Sequence, residues 1–578
     1  MAIFSFDTSH LLGRVREVDT RKVFILVNSN EDLRKARVGQ LVTVQLAEGV
    51  EAWLIGIIER VAKSVVIVKC SEAAPADNEK ASFPGEDVVN TVRVTLVGTV
   101  RWDAVKGRAA FSRSLVHVPE IDAECFVLRD KQLETFMSVL STEGDREHSL
   151  EIGKYTLDEN AAAFLDGNKL FQRHAALLGS TGSGKSWTVA TILERAAKLP
   201  SANLIVFDLH GEYREMSYAR HLRIPGPEEL GKTSAELLYL PYWLLNAEEM
   251  QAMFIDRSEF SAHNQVMAFQ DAVVEQKKAA LTELGKSEVL AAFTLDSPIP
   301  FSLKQVLKTL KDLNEEMIEG ARGLKQGNFY GQFSRLLTRL RSKISDRRYG
   351  FLFQAPATEH QYETMARSAA KLMDYHIKGA QVKVIDFSEA PADILPVIVG
   401  LVARLIYQVQ FWTDHTKRRP LAFICDEAHL YLPKKEGQNP VELRAIEAFE
   451  KIAKEGRKYG VALMIVSQRP SDVSETVLSQ CNNVIALRLT NASDQATVKK
   501  LMPESLESLL DVLPIMDIGE ALIVGDAVLL PSRIIINKPL EKPLSATIDF
   551  WTEWKKDAGA PDFDKAVENM RKQGRGEV

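Results

Sequence analysis

The sequence predicts an α/β protein: a parallel sheet covered on both faces by helices, preceded by a small β-barrel or sandwich and interrupted by a helical insertion. Three observations carry this. Short runs alternating apolar and polar residues fill positions 11–70, the period-two pattern of half-buried strands. From about 170 onward, apolar strand-length runs alternate with amphipathic helices, the texture of a parallel sheet with covered faces. Between roughly 247 and 375 strand signals become few, and the stretch is too long for a simple crossover.

Taken in order, the first runs are Val23-Phe24-Ile25-Leu26-Val27, Leu41-Val42-Thr43-Val44, Trp53-Leu54-Ile55-Gly56-Ile57-Ile58 and Val65-Val66-Ile67-Val68, parted by turn residues such as Asn28-Ser29-Asn30 and Gly49. Further runs at 92–100 and 124–128 complete a β-rich domain over 1–150; short strands at this spacing suit a barrel or sandwich. Core strands are predicted at 175–178, 204–207, 382–387, 421–425, 461–466 and 484–489. They give the core a first part, 151–246, and a second, 379–545, on either side of the insertion at 247–378. Within the second part, Gly519–Gly525 reads as a strand entering a turn, with Arg533–Ile536 able to pair beside it. Residues 546–578 read as a helix and tail, polar enough from Asn569 onward to be disordered.

At 578 residues, with 46% apolar and 26% charged residues, the chain has room for several domains and a large core. Lys and Arg number 72 against 78 Asp and Glu, a net charge of −6. That excludes a protein coated in basic surface, while leaving room for a local basic lining. Cys70, Cys125, Cys425 and Cys481 form no CxxC pair, which disfavours zinc and a disulfide framework and fits a reducing cytoplasm. Asp7, Arg14 and Arg16 break up any signal-peptide pattern at the start. The most membrane-like stretch, Ile394–Trp412, is interrupted by Pro396 and Arg404 and reads as a buried helix rather than a span of about 20 apolar residues.

The strongest chemical signal is Gly179-Ser180-Thr181-Gly182-Ser183-Gly184-Lys185-Ser186, a full GxxxxGK[ST] pattern between an apolar run and a helix. Glycines let the backbone wrap tightly, so successive N–H groups point at phosphate oxygens, and the helix adds its positive dipole end. Lys185 is expected on the β- and γ-phosphates of ATP, Ser186 on Mg2+, and Trp187 in the same nucleotide-binding set. The second signal is Leu421–Cys425 followed by Asp426 and Glu427. An apolar strand delivering two carboxylates suits Mg-ATP hydrolysis, with Asp426 at the metal and Glu427 polarising the attacking water; the plain alternative is an acidic strand end.

Three weaker candidates follow. Asp208 and Glu212 close another strand, either to support metal or water, or as a turn cap and a solvent-facing carboxylate. Gln468, at the tip of 461–466, is a γ-phosphate sensor or a strand-end amide. Arg457 is an arginine finger for a neighbouring subunit or, with Lys458, a cation at a helix end before Gly460. The required basic patch lies at Ala321–Tyr349, eight Lys or Arg against Asp346 alone. Arg335, Arg339, Lys343 and Arg347 recur every fourth position on one helix side. They would track a DNA backbone, line a solvated face or contact a subunit; Lys434 and Lys435 compete for the pore-facing role.

The motif series resembles the HerA family of hexameric DNA translocases, relatives of FtsK-type motors. It comprises His174-Ala-Ala-Leu-Leu-Gly-Ser-Thr-Gly-Ser-Gly-Lys-Ser, Asp208-Leu-His-Gly-Glu-Tyr, Cys425-Asp-Glu-Ala-His, Glu455-Gly-Arg-Lys-Tyr-Gly and Ser467-Gln-Arg-Pro. Leu209 stands where family members often carry Pro. The resemblance implies a RecA-like P-loop NTPase core and an N-terminal HAS barrel. It implies a homo-hexamer with ATP and Mg2+ at subunit boundaries, double-stranded DNA in the central channel, and no membrane. It implies Lys185 and Ser186 at nucleotide and metal, Asp426 and Glu427 in hydrolysis, Gln468 as sensor and Arg457 as a finger supplied in trans. A nuclease of the NurA type, or a sirtuin-like or nuclease effector of antiphage defence, is expected to dock on the barrel. A nucleotide-gated scaffold that assembles an effector is the alternative function, and a secretion or conjugation pump shares the same motor core.

Overall fold

The structure is a computed structural model that describes residues 3–46, 52–67, 86–105, 107–115, 117–143, 149–320, 323–376, 379–435, 440–545, 549–556 and 563–572. Gly49, Val68, Cys70, Ala321 and the ends of the predicted tail lie outside those residues. The described chain forms two compact units.

The first unit takes in the chain up to Leu170, Gly179–Gly184 and Asn482–Asn537. Its strands begin with β1 (Leu11–Asp19), β2 (Lys22–Val27), β3 (Leu41–Gln45), β4 (Ala52–Ile67), β5 (Glu86–Asp103), β6 (Arg108–Ser112) and β7 (Glu124–Val127). The order β2-β1-β7-β3-β4-β5 closes through a β2–β5 pairing, giving a six-stranded antiparallel barrel with β6 added outside β5. Closure gives each of the six barrel strands a partner on both sides. Alternation supplies the interior: Val23, Ile25 and Val27 from β2, Val42 and Val44 from β3, and Val92, Val94 and Leu96 from β5 are all buried. The barrel, of the two shapes the sequence allowed, is therefore the one formed.

Beyond the barrel come β8 (Ser149–Tyr155) and β9 (Asp158–Asp166). The second unit, Phe171–Leu178, Lys185–Cys481 and the chain from Lys538, carries β10 (Ala175–Leu178), β11 (Leu204–Asp208), β12 (Arg220–Arg223), β13 (Met317–Gly320), β14 (Gly323–Gln326), β15 (Val382–Asp386), β16 (Leu421–Cys425) and β17 (Val461–Ser467). The first unit is completed by β18 (Asn483–Ala486), β19 (Glu520–Gly525) and β20 (Ser532–Ile536), which form an antiparallel meander, β18-β19-β20-β8-β9. In that unit Arg113 donates to the carbonyls of Gly525, Val528 and Leu529, tying the chain after β6 to the β19–β20 turn.

The second unit is a parallel sheet in the order β12-β15-β11-β16-β17-β10. Every residue of β10, β11, β16 and β17 is buried, as a sheet covered on both faces requires. Phe207, Phe423, Tyr431 and Phe449 pack against one another, Phe207 stacked on Phe423 and edge-on to Tyr431 and Phe449. The helix Leu395–Trp412 is long and apolar enough to cross a membrane, yet 67% of it is buried inside the protein. Its Arg404 pairs with buried Glu249 and caps the Leu244 carbonyl, so it is a core helix. The insertion holds helices Ala247–Phe254, Ala262–Glu283, Leu303–Glu315, Ser334–Ser345 and Thr364–Met373, plus an exposed β13–β14 hairpin that the sequence did not announce. In the predicted tail helix, the described segments are two short helices, Phe550–Trp554 and Phe563–Lys572.

Candidate nucleotide site and its carboxylates

Parallel register brings the predicted residues to one edge. Phe207 pairs with Cys425, Cys425 with Ile465, and Leu178 with Ser467. The chain therefore leaves β10, β11, β16 and β17 at the same carboxyl end, where sheets of this kind build their sites.

From β10 the chain enters Gly179–Gly184 and turns into the helix Lys185–Ala196. Gly182 (φ +73°) and Gly184 (φ +105°) adopt left-handed backbone that a side chain would strain. A Cβ on Gly179 would sit 2.5 Å from the Ser183 hydroxyl. That hydroxyl is buried without a hydrogen-bond partner, an unmet polar group in a loop shaped for phosphate. Thr181 and Gly182 are exposed, and Ser180 is half-buried with its N–H on the Arg488 carbonyl. Ser186 and Trp187 follow in the first helical turn, both half-buried, and the Trp187 ring has the Lys542 ammonium 6.0 Å from its centroid.

Lys185 is 7% exposed. Burial pulls its pKa down, opposed by Glu427, Asp426 and Glu212 in that order, so three carboxylates face one ammonium. Asp426, at the end of β16, is buried, and its carboxyl is pushed up to about 8 by burial first, then by Glu427, Glu212 and Asp208. Glu427 occupies left-handed backbone at φ 45°, ψ 44°, costly for a residue with a side chain and typical of functional positions. Burial also raises its pKa, against the pull of Lys185 and His210. One carboxyl oxygen of each, Glu427 Oε2 and Glu212 Oε2, is buried without a hydrogen bond. Negative charge so crowded and unsatisfied calls for a cation beyond Lys185.

Asp208 resolves its open alternative. Its Oδ1 accepts from the N–H groups of His210, Gly211 and Glu212, and its Oδ2 from Tyr213. It caps the turn that carries Glu212 toward Lys185. Glu212 does not face solvent: it is half-buried, with the Leu544 N–H on its carbonyl. Gln468 is half-buried, and its backbone N–H donates to the Glu427 carboxylate.

Arg457 lies exposed in a 3-10 turn, Gly456–Tyr459, before Gly460 at φ +71°. The seven residues of β17 separate it from the carboxyl edge, roughly 20 Å along the strand. It does not reach the site of its own chain.

Three residues of the basic ladder have partners in the structure. Arg339 pairs with Glu259 at 2.6 Å and donates to the Phe254 carbonyl. Lys343 pairs with Asp393 at 3.0 Å and bonds the Tyr349 hydroxyl. Arg347 donates to the Pro227 carbonyl. These contacts fasten the helix Ser334–Ser345 and the turn after it to their surroundings, while Arg335 and Arg347 remain exposed. Lys434 pairs with Glu475 and Lys435 with buried Glu450. Sequence reasoning missed His429, whose Nδ1 lies 3.3 Å from Glu427 Oε2. It also missed the segment after β20, where Glu541 accepts from Ser217 and Leu540 donates to Glu194. Only the proximity of His429 to the carboxylates in the chain hinted at the first, and nothing local signalled the second.

Fold and site together define a P-loop ATPase. Two family profiles match, "Helicase HerA, central domain" over 150–406 and "Helicase HerA-like C-terminal" over 391–531. Together they span about two-thirds of the chain, which belongs to the HerA helicase family. Among curated relatives, the "DNA double-strand break repair helicase HerA" of Pyrococcus furiosus is 28% identical over 67% of this chain and 69% of its own. That of Saccharolobus solfataricus is 26% identical over 74% and 75%. A "probable helicase" of Methanocaldococcus jannaschii is 23% identical over 92% of this chain and 96% of its own, barrel included. Among solved structures, VirB4 of Thermoanaerobacter pseudethanolicus superposes with a TM-score of 0.42 at 20% identity, covering 67% of this chain and 96% of its own. The plasmid coupling protein TrwB with ADP and Mg2+ gives 0.40 at 12%, covering 64% and 86%.

Proposed function

We propose that this ATPase is a ring-forming DNA translocase whose subunits each hold ATP at Gly179–Ser186 and act with a nuclease or effector partner. The observation carrying it is the cluster of buried Lys185 and Asp426 with half-buried Glu212 and Glu427 at one sheet edge, short of positive charge. The curated relatives named as DNA double-strand break repair helicases support DNA as the substrate.

In this reading the loop N–H groups and Lys185 bind the triphosphate, and the helix dipole at Lys185–Ala196 adds to their pull. Mg2+ fits the unpaired carboxylates; Ser186 and Asp426 would hold it, and it would neutralise phosphate charge. Glu427 orients the attacking water and takes its proton, helped by a pKa already raised by burial. Gln468 and Glu427 are joined through the Gln468 N–H, so a change at the γ-phosphate is passed to the end of β17. Arg457 serves the neighbouring subunit's ATP. Translocation is read by displacement of a triplex-forming strand from duplex DNA. Wild type with Mg-ATP displaces it, and Lys185→Ala does not; displacement by neither would remove the motor reading.

The six-stranded barrel motivates a second reading, a nucleotide-gated hexameric scaffold for an effector, because it is a complete β domain lying ahead of both matched family segments. Partner activation that survives Glu427→Gln but not Lys185→Ala would favour it.

A further inference from the structure

Glu427 ends β16 in left-handed backbone, and the 3-10 turn Ala428–Leu430 follows at once. The Leu430 N–H closes on the Glu427 carbonyl at 2.9 Å, and this tight turn brings the side chains of Glu427 and His429 together. His429 Nδ1 lies 3.3 Å from Glu427 Oε2, their side chains only 10% and 14% exposed. The same nitrogen lies 3.4 Å from the hydroxyl of Ser467, the last residue of β17. Ser467 is fully buried, and its Oγ already accepts the Arg469 N–H at 3.0 Å, which leaves its own proton free to donate.

The two loops are also stapled together. The Lys434 N–H bonds the Asp472 carbonyl, the Ser474 N–H bonds the Leu432 carbonyl, and Pro433 bridges Val473. A neutral imidazole carries one ring proton. Nδ1 can therefore donate to Glu427 or accept from Ser467, not both. Burial first, then the nearby Arg469, lowers the pKa of that imidazole.

We propose that His429 is a positioning residue for Glu427: its Nδ1 sits within reach of the otherwise unbonded Oε2, and Ser467 competes for that nitrogen. The placement of Glu427 then depends on the tip of β17, the element that carries Gln468. This rests on the reading of Glu427 as the group acting on the attacking water.

The test uses full-length protein and measures ATP turnover together with equilibrium binding of a fluorescent ATP analogue. The variants are His429→Ala, His429→Asn, Ser467→Ala, the His429→Ala/Ser467→Ala pair, and Glu427→Gln as reference. His429→Ala is expected to lower kcat by roughly 10- to 100-fold with Kd within about twofold of wild type, the mark of a group acting only in the chemical step. His429→Asn, whose amide nitrogen reaches the Nδ1 position, restores most of the rate. Ser467→Ala shifts kcat in the wild-type background and has no effect beside His429→Ala. Wild-type kcat in His429→Ala, or a lost rate that Asn does not recover, overturns the proposal. If Glu427→Gln itself turns over normally, the assignment of Glu427 fails instead, and that result is distinct from any His429 outcome.

Discussion

Asp426 shows how far charge governs this protein. Its folded pKa of about 8 stands above the ordinary 3.8, so the folded chain holds a proton that the unfolded chain releases across that interval. Without metal and nucleotide, the resulting penalty grows as pH rises through the window and is complete above it. Asp426→Asn is therefore expected to stabilise the metal-free protein at pH 8.5 by about 2 kcal/mol and to change little at pH 4. Thermal melts in EDTA at both pH values check this, and equal effects at both would contradict it. The residues of the phosphate loop and the Asp426–Glu427 pair were legible in the chain because each is a contiguous pattern. The role of Asp208 as a cap on four backbone N–H groups was legible only as one of two options, since its spacing to Glu212 suits both. His429 was overlooked because its partner Ser467 lies on another strand, 38 residues away.

At the scale of elements, the apolar core strands announced themselves because β10, β11, β16 and β17 are buried on both faces. β12, with Arg220, His221 and Arg223, and the β13–β14 hairpin, with one strand fully exposed, lack that signal. Tertiary pairing, not local pattern, makes them strands. The helix Ser334–Ser345 teaches the converse. Its basic period was correctly seen, but the sequence could not show Glu259, Asp393 or Pro227 waiting at the ends of those side chains. Arg339→Ala is accordingly expected to cost about 1–3 kcal/mol, because it strands nearly buried Glu259 and the Phe254 carbonyl. Chemical denaturation of this variant measures that cost. A variant of unchanged stability with weakened DNA binding would restore the phosphate-track reading.

For the whole molecule, the position of Arg457 matters most. Each chain carries Gly179–Lys185, the carboxylates and Gln468, yet places Arg457 at the far end of β17. In the proposed ring, a head-to-tail interface would set one subunit's Arg457 against its neighbour's site. Mixing Lys185→Ala and Arg457→Ala subunits in equal amounts should therefore create active sites from two inactive proteins, about a quarter of all sites if assembly is random and the finger acts in trans. Phosphate release no greater than either variant alone would place Arg457 outside the reaction.

The most direct measurement of the central claim is phosphate release from Mg-ATP by the full-length protein, with and without double-stranded DNA, beside Glu427→Gln. DNA is expected to accelerate release, and Glu427→Gln to bind ATP as tightly as wild type but hydrolyse it at least about 100-fold more slowly. Equal rates in wild type and Glu427→Gln, or no release by wild type with duplex present, would contradict that claim.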